Sequence, residues 1–136
     1  MQLYELEEVY ATECVLNDSK QVYHEMRDIK SWTKEAFVVF FLDARNKVIS
    51  REIVNIGTLD QAIVHPREVF RTAIMRNAAS LVIAHNHPSG STSPSEEDTQ
   101  ITHKMREAGK IIGIDVLDHV IVARDGYYSL LENDWM

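Results

Sequence analysis

With 136 residues and a mass of 15.6 kDa, the chain suits a single domain over residues 1–136 with one hydrophobic core. Its 45% hydrophobic and 26% charged residues exclude a disordered or collagen-like chain, and no apolar stretch approaches the roughly 20 residues of a membrane helix. The net charge of −7 argues against direct DNA binding, which requires a basic surface. A local basic strip remains open as an alternative, formed by six side chains: Arg45, Lys47, Arg51, Arg67, Arg71 and Arg76.

The first part of the chain predicts a strand, a helix and a β-hairpin. Residues 8–16 alternate in character and are interpreted as a strand. Asp18 or Ser19 caps a helix that runs to about residue 31, with apolar positions at helical spacing. Residues 37–42 are continuously apolar, which is typical of a central strand buried on both faces. A turn at 43–46 and a returning strand at 48–56 complete the hairpin.

The second part predicts alternating helices and strands. After a connection at 57–61, Pro66 suits the first position of a helix that runs to about residue 79. Residues 81–84 read as a buried strand, and a helix follows from near Ser95 to Gly109 or Gly113. Residues 114–123 and 127–131 form a final hairpin. This alternation predicts an α/β fold, a three-layer domain whose mixed β-sheet is flanked by helices.

A polar segment after the second buried strand carries the residues most suited to chemistry. His85 and His87 are two positions apart, so on an extended chain both imidazoles point to the same side. Asp98 follows in the first turn of the next helix, across a loop that can fold back. Two histidine nitrogens and one carboxylate oxygen are suitable Zn²⁺ ligands that leave a fourth position for water, as in catalytic sites.

The same residues also have a purely structural interpretation. A His-x-His pair at a strand end is common, and Pro88-Ser89-Gly90 has ordinary turn chemistry. Ser95 and Asp98 have the spacing of a helix-capping pair, although aspartate is a poorer partner there than glutamate. On spacing alone, a metal site and a capped helix are about equally favoured.

Several other catalytic patterns are excluded by residue type. A zinc nucleobase deaminase needs cysteine ligands in a P-C-x-x-C element, and the single cysteine, Cys14, lies far upstream. The sequence contains no G-x-S-x-G, no P-loop and no H-E-x-x-H motif. The adjacent letters His-Asn-His do not indicate an HNH nuclease, in which these residues are spread over a ββα unit.

The full spacing resembles the JAMM (MPN-domain) metalloprotease signature, H-x-H-P-x6-S-x2-D, in which five positions are fixed. Here it reads His85-x-His87-Pro88, Ser95 and Asp98. The string 85–90 and the later Asp118-His119 resemble the RadC branch of that superfamily, as do residues 35–43, 57–59 and 65–68. The resemblance is strongest over 34–131 and implies a cytidine-deaminase-like JAMM/MPN architecture. RadC proteins are typically longer, so the chain resembles their catalytic-type domain only.

The resemblance implies a zinc-dependent hydrolase of peptide or isopeptide bonds. It assigns one Zn²⁺ to His85, His87 and Asp98, and oxyanion stabilisation to the Ser95 hydroxyl. Glu35, directly before the first buried strand, best matches the catalytic glutamate of the family and would act as general base. Glu52 is a reserve candidate, because it lies on the adjacent strand and could point inward.

Some features separate this chain from the deubiquitinating members of the superfamily. Those enzymes usually carry Ser or Thr between the two histidines, where Asn86 stands here, and they hold ubiquitin with inserted segments. The substrate is therefore expected to be another peptide or protein. His119 is interpreted chiefly as a buried structural histidine, with support of a metal ligand as the alternative.

Two other functions remain open on the sequence alone. The RadC family name suggests a non-enzymatic module in DNA repair or recombination, for which a protein partner fits the acidic charge better than duplex DNA. A zinc hydrolase of phosphodiesters would use the same three ligands. The lone cysteine and the absence of a positively charged signal region in residues 1–8 predict a cytoplasmic protein with no membrane partner.

Overall fold

A computed structural model of the chain describes residues 14–57 and 64–136. These residues form three helices and five strands: α1 (Ser19–Glu25), β1 (Ala36–Leu42), β2 (Val48–Ile56), α2 (Pro66–Met75), β3 (Ser80–Asn86), α3 (Glu96–Ile112), β4 (Asp115–Ala123) and β5 (Gly126–Ser129). Within these ranges no helix is long and apolar enough to cross a membrane. The predicted strand at 8–16 falls mostly outside the described residues. In its described part, residues 14–16, Val15 forms an isolated bridge to Lys47.

The strands form one mixed sheet in the order β2-β1-β3-β4-β5. β3 and β4 are parallel, with α3 as the connection between them, and the remaining neighbours are antiparallel. A parallel pair needs such a crossover, whereas the β1–β2 and β4–β5 pairs need only short turns. The predicted α/β class with a mixed sheet is confirmed.

The core lies on both faces of the sheet, which makes three layers. Even-numbered residues of β1, such as Val38 and Phe40, pack with Val22 of α1, Met26 and Ile29. Odd-numbered residues of β1, such as Phe37 and Val39, pack against α2 and α3. Because successive side chains of a strand point to opposite faces, a continuously apolar strand is suited to a central position covered on both sides. All seven residues of β1 are buried.

Several element ends differ from the sequence prediction: α2 ends at Met75 instead of about residue 79, and β5 ends at Ser129 instead of residue 131. α1 stops at Glu25 instead of continuing to residue 31, because Met26 and Arg27 donate to carbonyls only three residues back and tighten the chain into turns. β3 continues through His85 to Asn86, beyond the predicted end at residue 84. Pairing with β1 on one side and β4 on the other holds these polar residues in the strand.

An ion pair between a buried arginine and a half-exposed aspartate connects β2 to the segment after α1. The Arg51 side chain is 4% exposed and makes two hydrogen bonds of 2.8 Å to the Asp28 carboxylate. These bonds lower the pKa of Asp28 below its ordinary value, because they favour the charged form. The stability from this pair is therefore present above the ordinary Asp pKa and is lost as the pH falls through the lowered pKa.

We expect Asp28→Asn to lower the free energy of unfolding at pH 7 by about 1 kcal/mol, a modest figure because solvent screens the half-exposed carboxylate. The difference from wild type should vanish in strong acid, where Asp28 is protonated in both states. Urea unfolding at pH 7 and in acid measures both values. The exposed Asp115→Asn is the matched control, and an equal loss in both variants would contradict the role of the pair.

Candidate metal centre

The two histidines of the His-x-His pair lie at the end of β3, near the centre of the sheet. His85 points toward α3, whereas its neighbour Asn86 points to the opposite face. The His87 backbone N–H donates to Val122 O at 2.9 Å and keeps the chain extended past the strand end. The two imidazole ring centroids are consequently 4.6 Å apart, so the predicted convergence of the histidines on one side is confirmed.

Asp98, in the first turn of α3, contacts both imidazoles. Its Oδ1 lies 3.1 Å from Nε2 of His85, and its Oδ2 lies 3.2 Å from Nε2 of His87. The same carboxylate accepts from the Ser95 backbone N–H at 2.8 Å, and the Ser95 hydroxyl accepts from the Asp98 N–H at 3.1 Å. The capping box and the contact with the histidines therefore coexist, because the cap places the carboxylate at the helix end that faces β3.

The charges in this cluster depend strongly on one another. Burial tends to raise the pKa of Asp98, but the close contacts of its carboxylate with both imidazole rings lower it far below its usual range. Burial tends to lower the pKa of His87, while its bonds to Asp98 and to the Ser91 carbonyl raise it above the ordinary value. The carboxylate is thus charged at neutral pH and favours a positive charge beside it.

A relay of hydrogen bonds behind His85 determines which of its nitrogens carries the proton. The Thr102 hydroxyl donates to the Asp98 carbonyl at 2.7 Å, so it accepts from Nδ1 of His119. Nε2 of His119 then accepts from Nδ1–H of His85 at 2.8 Å. Burial lowers the pKa of His119 well below its ordinary value, in agreement with a neutral ring. In a neutral His85 ring this arrangement keeps the proton on Nδ1, so the Nε2 lone pair faces Asp98 and can bind a cation.

The two Nε2 atoms that face Asp98 suit a cation. In His87 the other ring nitrogen, Nδ1, lies 2.7 Å from the Ser91 carbonyl and donates to it, so Nε2 becomes available as a metal ligand when the ring loses the proton that it shares with Asp98. Among the described residues, nothing completes a well-aligned hydrogen bond to Nε2 of buried His85. Neutral histidine nitrogens beside a carboxylate form a ligand set that Zn²⁺ prefers. The residues present therefore fit a zinc ion.

Glu35, directly before β1, joins this cluster. One ligand atom each from Glu35, His85 and His87 lie within 4.8 Å of one another, which makes these residues a group that could hold a metal ion. Glu35 is half-buried, so its carboxylate borders both the cluster and solvent. This position suits either a metal ligand or a base beside an ion held by His85, His87 and Asp98.

Asn86 holds the segment that carries Glu35. Its Oδ1 accepts from the Ala36 N–H at 2.7 Å, and its Nδ2 donates to the carbonyls of Lys34 at 2.9 Å and Trp32 at 3.3 Å. The side chain is fully buried, so these three bonds satisfy most of its hydrogen-bonding capacity. An amide carries both a donor and an acceptor in one planar group, whereas Ser or Thr has one short hydroxyl and cannot reproduce all three contacts.

Glu52, the reserve candidate for the base, has a different role. Its side chain is 1% exposed, and its Oε1 lies 3.0 Å from Nη2 of Arg76, just after α2. Within the described part of the chain, the metal-capable group consists of Glu35, His85 and His87; it contains neither Glu52 nor Asp98, whose carboxylate instead contacts both histidines. The idea that Glu52 points inward is thus correct, and its buried carboxylate forms an ion pair with Arg76.

The structure also limits the basic strip considered from the sequence. Arg51 is buried against Asp28, and Arg76 pairs with buried Glu52, so these two side chains are not available to phosphates. Two of the six cations are therefore removed from a surface that would need several to bind DNA.

His119, Thr102 and Asn86 support the cluster in ways that sequence spacing does not reveal. His119 contacts His85, 34 positions before it, and Thr102, 17 positions before it. Asn86 accepts from the backbone of a residue 50 positions earlier in the chain. The available signal was the occurrence of a histidine and an asparagine among the apolar residues of β4 and β3, since buried polar side chains need partners. Of the two interpretations of His119, support of a candidate ligand agrees with its contact to His85.

We expect His119→Ala to weaken zinc affinity by about 10–100-fold, because His85 loses the acceptor that keeps its Nε2 unprotonated. His119→Gln should retain much of the affinity, since an amide oxygen can accept from Nδ1–H of His85. Competition with a chromophoric chelator measures both constants. An affinity that is unchanged in the alanine variant would show that the relay does not control the ligand.

Comparison with known proteins shows the family of the chain. Residues 16–135 match the family model described as the RadC-like JAB domain. The chain belongs to this family. Relatives at 44–52% identity are UPF0758 proteins from Methanosarcina barkeri (48% over 115 residues), Geobacillus thermodenitrificans (44% over 127) and Rubrobacter xylanophilus (52% over 105). The resemblance to RadC inferred from the motif is therefore confirmed.

The alignments cover most of this chain but only about half of each relative. It covers 85%, 93% and 77% of the chain but 49%, 55% and 46% of the three relatives, so the chain spans about half their length. The RadC-like JAB domain contains the whole His85–His87–Asp98 cluster together with Glu35.

Proposed function

We propose that this RadC-like JAB domain is a zinc-dependent hydrolase of peptide or isopeptide bonds. The observation that carries the proposal is the position of Nε2 of His85, which is buried 3.1 Å from a carboxylate that also lies 3.2 Å from Nε2 of His87. Two histidine nitrogens and one aspartate oxygen, with the Glu35 carboxylate beside them, match a catalytic zinc site better than a structural site, which four protein ligands usually close.

His85, His87 and Asp98 would hold the ion. Zn²⁺ at such a site supplies a water molecule that is acidified to a pKa of about 7 and is nucleophilic at neutral pH. The support from this chain is that both histidines have their second nitrogen engaged, at Nδ1, which orients their rings before an ion binds.

Glu35 acts as general base and then as general acid in this proposal. Its carboxylate lies at the cluster edge near solvent, where it can accept a proton from the attacking water and return it to the leaving amine. Ser95 is the oxyanion donor: its hydroxyl oxygen accepts from Asp98 N–H, so its own proton remains available for the carbonyl oxygen of the substrate.

Metal analysis combined with peptide hydrolysis tests the proposal. The wild type should bind about one zinc per chain and gain thermal stability on zinc addition, because zinc binds the folded state. His85→Ala with His87→Ala should lose both, whereas the exposed pair His24→Ala with His103→Ala should lose neither. Hydrolysis of a mixed-sequence fluorogenic peptide library should stop with a chelator and return with zinc.

Two results would contradict this function. Full zinc occupancy in the double variant at residues 85 and 87 would place the ion elsewhere. Zinc-dependent nicking of plasmid DNA, abolished by Asp98→Ala and unaccompanied by peptide hydrolysis, would favour phosphodiesters as substrates.

A further inference from the structure

A cleft opens directly beside His87, on the side of the cluster away from α3. Three segments line it: the turn after α1, the loop after β3 and the β4–β5 turn. Its volume is about 220 Å³, and its lining includes Lys30, Trp32, His87, Arg124 and Asp125. A volume of this size accommodates one amino-acid side chain or a chain terminus.

A second cleft continues on the other side of the loop after β3. It has a volume of about 550 Å³ and is lined by the segment of Glu35, by Gly57 and by Pro88 and Ser89. Pro88 and Ser89 line both clefts. His87 therefore borders the first cleft and Glu35 borders the second, so the two clefts adjoin different sides of the candidate metal centre.

The first cleft differs in charge from the protein as a whole. Lys30 and Arg124 place two cations in its lining against the single carboxylate of Asp125, whereas the chain has a net charge of −7. A local excess of positive charge in a concave site attracts an anionic group and raises its local concentration. Trp32, which is 36% exposed, offers an apolar wall for the methylene groups of a side chain.

Lys30 is held in position before any ligand binds. Its Nζ donates to the Tyr23 hydroxyl at 3.1 Å and lies 4.7 Å from the centroid of the Tyr23 ring. The Tyr23 hydroxyl donates in turn to the Arg124 carbonyl at 3.0 Å, and its ring lies 4.9 Å from that of Tyr127. An ammonium group has three donors, so two remain after the bond to Tyr23. Preorganisation of a flexible lysine lowers the entropic cost of binding.

We propose that this cleft binds a carboxylate of the peptide substrate, next to the bond that the metal centre cleaves, with Lys30 as the specificity-determining residue. The carboxylate comes either from an acidic side chain or from a free C-terminus, and both present the same planar anion to the ammonium group. This inference rests on the proposed hydrolase function and narrows its substrate class.

The test uses the zinc-loaded full chain and fluorogenic peptides that differ in one charge. One series exchanges Glu for Gln at each position within two residues of the cleaved bond, and another exchanges a free C-terminus for an amide. We expect kcat/KM to be about tenfold higher for the acidic member of one pair, and the pair that responds identifies the source of the carboxylate. Lys30→Met should reduce this ratio to near one, and Lys30→Arg should retain it.

Controls separate specificity from a general loss of activity. Lys30→Met should leave kcat/KM for the neutral peptides within about twofold of wild type, and Asp125→Asn should raise the acidic-to-neutral ratio by removing the opposing charge. The exposed Lys20→Met, on α1, should leave the ratio unchanged. Hydrolysis with equal rates for acidic and neutral peptides, or a ratio that survives Lys30→Met, would overturn the proposal while leaving the hydrolase function intact.

A binding measurement distinguishes this proposal from the function on which it rests. NMR titration of the Trp32 indole signal with the Glu and Gln peptides reports on the cleft without hydrolysis. Tighter binding of the acidic peptide that is lost in Lys30→Met, in a protein that hydrolyses nothing, would support the cleft and refute the hydrolase. Equal binding of both peptides would refute the carboxylate site.

Discussion

Replacement of Glu35 by Gln is expected to lower kcat by about 10²–10⁴-fold, the usual contribution of a general base. The amide keeps the shape of the side chain but cannot accept a proton at neutral pH. Zinc content should stay near that of the wild type, because His85, His87 and Asp98 remain in contact with one another. Hydrolysis of a library peptide and metal analysis of the same sample measure the two quantities.

Glu52→Gln is the matched control, since it makes the same chemical change at a buried glutamate. Its expected effect is on stability: loss of the partner of Arg76 should lower the free energy of unfolding by about 1–3 kcal/mol with kcat unchanged. Unchanged turnover in Glu35→Gln would remove this residue from the mechanism. Loss of zinc together with turnover would identify Glu35 as a metal ligand instead of a base.

Replacement of Asn86 by Ala should lower kcat about 100-fold without loss of zinc. Asn86 points away from the cluster, and its three hydrogen bonds hold the backbone on both sides of Glu35. A displacement of about 1 Å in a catalytic group can cost a factor of this size. The metal affinity should change little, because the contacts of His85 and His87 with Asp98 lie on the opposite face of β3.

The loss of buried hydrogen bonds will also destabilise this variant, by about 2–4 kcal/mol. Val82→Ala provides a control for that effect, because Val82 lies on the same strand and face as Asn86 and its truncation leaves a cavity that costs about 2 kcal/mol. Kinetics at a temperature where both variants are folded should show reduced kcat only for Asn86→Ala. A normal kcat in that variant would mean that residues 32–36 are positioned without it. A parallel loss of zinc would mean that Asn86 supports the ligands themselves.

The local parts of the site could be predicted from the sequence. His85 and His87 share a side because alternation along an extended chain is a property of the backbone. Ser95 and Asp98 form the predicted capping box because their spacing spans one helical turn. The apolar run of β1 determined its central position in the sheet, since its side chains must be covered on both faces. The fold class followed from the order of such elements.

Only the tertiary structure decided which other residues join that site. Glu35 and Glu52 were both plausible by sequence, and strand register together with the position of Arg76 after α2 separated them. His119 meets His85, and Asn86 meets residues 32–36, through pairings of strands far apart in the chain. Such contacts depend on which strands pair and on how the layers pack, whereas the pattern along one segment indicates only which side chains share a face.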